Sequence, residues 1–72
     1  MLRITTNNTK LLDEPDVGAS EIADIPKCTK LLVLEKKWYS EEYCTWFYKV
    51  KYKGKTGWVD GTTISDISDV LL

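Results

Sequence analysis

Histidine is absent from this 72-residue chain. That removes the commonest general base and a preferred metal ligand. Cysteine is scarce: Cys28 and Cys44 form no metal-type cluster, and neither has a base adjacent in sequence to make a thiolate nucleophile. Their placement, one before a central strand and one before a hairpin, reads as two unpaired, partly buried thiols rather than a disulfide. Only four glycines are present, and none builds a phosphate-cradling loop. The adjacent acids Asp13/Glu14 and Glu41/Glu42 lie in loop stretches, where carboxylates are solvated and make poor general acids. The expectation is a non-enzyme with no cofactor and no metal.

Long apolar runs are also missing, so no segment reads as a membrane span. Met1-Leu2-Arg3 leads straight into threonine and asparagine, without a secretory leader. Two expectations follow for location: cell surface or secreted if the chain is an excised domain, cytoplasmic if it is complete. The formal charge is −1 with 29% charged residues of both signs, which argues against a dedicated nucleic-acid binder. A chain this short makes one domain, hides only ~60% of its unfolded surface and is marginally stable.

What the chain does have is aromatic residues: three Trp, four Tyr and one Phe. Most of them fall in or beside Trp46–Val59. There Trp46, Tyr48, Val50 and Tyr52 alternate with Phe47, Lys49, Lys51 and Lys53, the period of a strand with one dry face and one wet face. Lys53-Gly54 supplies a two-residue turn. Pairing Tyr52 with Lys55 sets Val50 against Gly57, Lys49 against Trp58 and Tyr48 against Val59. Tyr48, Val50 and Val59 are then core, and Phe47 and Trp58 are diagonal neighbours on the wet face.

Ile4-Thr5-Thr6 reads as an edge strand, and Asp13 to Ser20 as an acidic surface loop. Ile22 and Ile25 are core anchors. Lys30 to Lys36 holds the most apolar run and reads as a central strand. Lys37 to Thr45 reads as a second hairpin that projects Trp38, Tyr39 and Tyr43 on an arm. Asp60 to Thr63 predicts one tight helical turn, and Ile64 opens a last strand. The predicted fold is all-β: a small five-stranded barrel over 1–64, with 65–72 as a C-terminal tail or linker.

These residues resemble the bacterial SH3-like (SH3b) family over about residues 4 to 64. The likeness rests on Phe47-Tyr48-Lys49-Val50, Gly54, Lys55-Thr56-Gly57-Trp58-Val59 and the turn from Asp60 to Ile64. It is extended by Ile25-Pro26-Lys27 and Thr29 to Leu34. The resemblance implies a five-stranded SH3-like barrel with a short 3-10 turn before the last strand, and Leu31 and Val33 pointing inward. It also implies a module that binds bacterial cell-wall peptide within a larger surface protein or wall hydrolase. The chain departs from the family in its first loop, where only Pro15 of the usual motif is kept. It departs again at Cys28, which replaces a turn glycine, and in the aromatic arm.

Phe47, Trp58, Trp38, Tyr39 and Tyr43 are the candidate ligand-binding residues, because Trp, Tyr and Phe are enriched at the cores of interfaces. The alternative for Trp58 is a structural role under the aliphatic stems of Lys49 and Lys51. Three classes of function remain. The first is the wall- or peptide-binding module. The second is a stand-alone phage or mobile-element protein that modulates one host protein. The third, disfavoured by net charge, is a nucleic-acid-binding barrel that uses Lys49, Lys51, Lys53 and Lys55 with Trp58 as a stacking platform.

Overall fold

The computed structural model describes residues 2–16, 18–39 and 45–66. Seven strands form a single curled antiparallel sheet: β1 (Leu2–Thr5), β2 (Thr9–Leu12), β3 (Glu21–Ile25), β4 (Lys30–Trp38), β5 (Trp46–Tyr52), β6 (Lys55–Asp60) and β7 (Ile64–Asp66). Their order across the sheet is β3-β2-β6-β5-β4-β1-β7. The molecule is nearly all β and curls into a half-barrel, with seven strands rather than the five expected. The two additional strands are β2 and β3, which flank the acidic loop. Each is only four or five residues long. An alternation that short is too brief to register as a period, and tertiary pairing decides it.

The β5–β6 register is the expected one: Tyr48 opposite Val59, Lys49 opposite Trp58, Val50 opposite Gly57 and Tyr52 opposite Lys55. The turn between them has positive φ at both central residues, Lys53 (48°) and Gly54 (79°), as the two-residue hairpin geometry requires. Inside the curl, Leu11, Ile25, Leu31, Val50, Val59 and Ile64 make the core, with Ile22, Ala23, Val33, Tyr48 and Tyr52 packed against it. Leu31 and Val33 both face inward, as the resemblance implied.

The separate hairpin expected over 37–45 is corrected. β4 continues to Trp38, and Trp38 stands opposite Trp46. Lys37 and Trp38 therefore extend the β4–β5 pairing instead of opening a hairpin of their own. The charged run Glu35-Lys36-Lys37 does not end the strand, since exposed strand extensions carry such residues without loss of pairing. A register shift between Val33 and Glu35 leaves Leu34 as the extra residue of a bulge. Tyr43 and Cys44 lie outside the described residues, as do residues 67–72 of the tail expected over 65–72, whose first two residues, Ser65 and Asp66, belong to β7.

Cys28 is also corrected: it is exposed and free, not partly buried. Its φ is 67°, the left-handed region that favours glycine. The turn around it is held by buried Thr5. Thr5 Oγ1 donates to the Pro26 carbonyl at 2.7 Å and accepts from the Thr29 amide at 2.8 Å. The Cys28 amide donates to the Thr5 carbonyl at 2.9 Å. This network holds the backbone in place, and the side chain carries the strain. Cys28→Gly is expected to stabilise the fold by roughly 0.5–1 kcal/mol, the left-handed penalty less glycine's greater freedom when unfolded. A higher urea midpoint at unchanged slope is the readout.

Candidate functional site

Cross-strand partners stand on the same face of a sheet, so the register sorts the aromatic residues. Lys37 is opposite Phe47, and Phe47 is opposite Asp60. These belong to the outer face, together with Lys49 and Trp58. Trp38 pairs with Trp46, and Lys36 with Tyr48, on the face that carries the core further along. The arm thus divides its aromatics between two faces.

On the outer face Phe47 is 1% exposed. The expectation of a large aromatic on wet surface is therefore corrected. The Tyr39 ring meets Phe47 edge-on, with centroids 5.6 Å apart. Tyr39 Oη in turn donates to Asp16 Oδ1 at 3.1 Å. Asp16 also accepts the Gly18 amide at 2.9 Å, and Asp13 accepts the Ser20 amide at 3.1 Å. The acidic loop is therefore closed by its own carboxylates and tied to the arm. Asp16 joins the loop to the aromatic face. Trp58 remains half-buried on this face, opposite Leu12 of β2.

Strands β2 and β6 are registered only at Leu12–Trp58, and beyond that pair they splay. The gap is a groove of about 320 Å³ with Phe47 and Leu12 at its apolar base. Lys10 and Glu21 stand on one side, and Asp60 and Thr63 on the other. Asp60 caps the 3-10 turn Gly61–Thr63 (η1), with Oδ1 accepting the Thr62 amide at 2.9 Å. Oδ1 also accepts the hydroxyls of Thr62 (2.9 Å) and Thr45 (3.0 Å). Thr63 Oγ1 donates to the Asp60 carbonyl at 2.7 Å and lies 3.0 Å from Thr9 Oγ1. The groove wall is thus fixed by a local network that engages one Asp60 oxygen fully.

Across the groove, Lys10 hydrogen-bonds Asp24 and lies 3.8 Å from Glu21. The hydrogen bond and charge of Asp24 raise the Lys10 pKa above the ordinary lysine value, with Glu21 adding to it. A raised folded-state pKa means the pairing contributes below the unfolded pKa of lysine and fades as pH rises through the folded one. It is therefore present throughout the neutral range. Among the described residues, no group of three or more Cys, Asp or Glu is arranged to hold a metal ion. None of their helices is long and apolar enough to cross a membrane.

The opposite set is open. Trp38 and Trp46 are each 40% exposed and meet edge to face, with centroids 5.1 Å apart. The Lys36 ammonium lies 4.7 Å from the Trp46 ring centroid, within cation–π range. A shallow pocket of about 160 Å³ runs from Thr45 and Trp46 over Tyr48 to Gly61 and Thr62. Sequence reasoning missed Trp46 as a surface residue, because its alternation with Tyr48 and Val50 placed it on the dry side of the strand. The signal was its position: it begins the strand, beyond the span of the core. Of the residues proposed from sequence, the structure brings Phe47, Tyr39 and Trp58 to one face. It places Trp38 with Trp46 on the other. In comparison with known proteins, no family model, curated protein or solved structure matches this chain.

Proposed function

We propose that this chain is a non-catalytic binding module of the bacterial SH3-like type. It recognises bacterial cell-wall peptide or a protein partner as part of a larger surface protein or wall hydrolase. The reading takes the seven-stranded half-barrel as an SH3-like barrel in which β2 and β3 are the arms of the long first loop. Supporting it are the positive φ at Cys28, where the family pattern carries glycine, and the 3-10 turn just before the last strand.

The observation that carries a binding role is the exposed Trp38–Trp46 pair. Two indole rings held edge to face in water, on a paired strand end, give a rigid apolar contact at low entropic cost. Lys36 beside Trp46 adds a cation suited to a carboxylate or carbonyl of a peptide. Tyr39 and Phe47 support the arm from behind, and Trp58 extends the outer face.

The test is retention on purified Gram-positive cell walls. The wild type is expected to be retained, and Trp46→Ala to lose at least about tenfold in retention, as hot-spot aromatics do. No retention of the wild type, or equal retention of a folded Trp46→Ala variant, contradicts the reading. The free, exposed thiol of Cys28 favours a second reading. Reducing compartments keep such thiols, which suits a stand-alone phage or mobile-element protein that grips one host protein.

A further inference from the structure

We infer that the outer face of β1 and β4 is a docking surface for an anionic lipid bilayer, separate from the Trp38–Trp46 surface. Leu2, Leu32 and Leu34 are 46%, 53% and 52% exposed. They are neighbours: Leu2 stands directly opposite Leu32, and Leu34 follows two residues on, at the bulge. Leu31 and Val33 turn inward between them, so the three leucines share the outward face. Three large aliphatic side chains side by side on one strand pair form a patch, unlike scattered exposed leucines.

The rim of this patch has one dominant sign. Lys51 stands opposite Leu32 on the side away from Leu2. Lys30 lies two residues before Leu32, opposite Ile4. Lys49 and Lys37 continue the same outward row on β5 and β4, opposite Glu35 and Phe47. No ion pair among the described residues engages these four lysines. Glu35, opposite Lys49, stands among these lysines. Five of the eleven acids gather elsewhere: Asp13, Glu14, Asp16, Glu21 and Asp24 fall between residues 11 and 25, which include no lysine or arginine. The near-zero net charge therefore conceals a molecule basic around the leucines and acidic on the β2–β3 arms. Such a distribution orients the leucine face toward a negative surface before contact.

Charge also decides among occupants. A two-fold dimer through the leucines sets each basic rim against itself, which disfavours a second copy. A peptide helix needs a groove to lie in, and Leu2, Leu32 and Leu34 line neither of the grooves described above. A bilayer with anionic headgroups meets both requirements: it takes apolar side chains at the headgroup boundary and pairs with lysines around them.

Vesicle flotation tests the assignment. Wild-type chain is expected to float with phosphatidylserine-rich vesicles and not with pure phosphatidylcholine, and to be released by salt. Leu32→Ser with Leu34→Ser, and separately Lys30→Glu with Lys51→Glu, are expected to weaken binding by roughly tenfold or more. These side chains are exposed, so their unfolding midpoints should stay near wild type. Trp46→Ala, on the other face, is expected to bind vesicles as the wild type does. No flotation with anionic vesicles, equal flotation with neutral ones, or unchanged binding by both double variants overturns the proposal. Dimerisation in sedimentation that the leucine variant abolishes, without vesicle binding, overturns it in favour of a second copy.

Discussion

Replacing Gly57 with alanine is expected to cost about 3 kcal/mol, the upper end of overpacking effects. Gly57 is buried opposite Val50, where β6 passes under β2. A Cβ there would sit 2.6 Å from the Leu12 carbonyl oxygen and 2.8 Å from Leu11 Cγ. The first of these atoms is backbone, so no rotamer change relieves the contact. β2 would have to move away, and its ladder to β6 is registered only at Leu12–Trp58. Leu11 would move with it, out of the core. In a domain this small such a loss approaches the whole of its stability. Urea unfolding should show a far lower midpoint, or an unfolded chain in buffer. Gly54→Ala is the comparison. It adds a methyl to open space, so the effect there is the positive-φ penalty alone, about 1 kcal/mol.

Truncating Phe47 to alanine is expected to cost about 3–5 kcal/mol, the range for a fully buried aromatic. The cost extends beyond its own burial. Phe47 supports the Tyr39 ring, and Tyr39 holds Asp16, so the acidic loop and the arm lose their common anchor together. Phe47→Leu keeps most of the apolar volume and should recover much of the loss. Tyr39→Phe keeps the ring contact and removes only the hydroxyl on Asp16, worth about 0.5–1.5 kcal/mol. A cost below about 0.5 kcal/mol for Phe47→Ala would mean that the residue behaves as an exposed one.

Much of the fold was legible in the sequence because the β5–β6 segment states its geometry locally. Alternation assigned the faces, Lys53-Gly54 set the turn, and the register followed from both. Tyr48, Val50 and Val59 were therefore readable as inward. The continuous apolar run of β4 leaves its facing open, and only the family resemblance implied that Leu31 and Val33 point inward. Strands β2 and β3 were not legible, since Thr9–Leu12 and Glu21–Ile25 are too short to show a period and are held by pairing across the acidic loop. Facing was legible where burial was not. Phe47 and Trp58 do share the outer face, but alternation cannot say what covers a face. Phe47 is covered by Tyr39 from a different strand end, a contact that local pattern does not carry. Trp46 failed in the other direction: its parity is inward, yet the core stops before it.

The account turns on this reversal: Phe47 is part of the packed structure, and Trp46, its neighbour in sequence, is open to a partner. The most direct measurement is urea unfolding of Phe47→Ala and Trp46→Ala side by side. The account predicts that Phe47→Ala loses about 3–5 kcal/mol and that Trp46→Ala loses at most about half as much, chiefly its edge contact with Trp38. Equal losses, or a larger loss at Trp46, would contradict it.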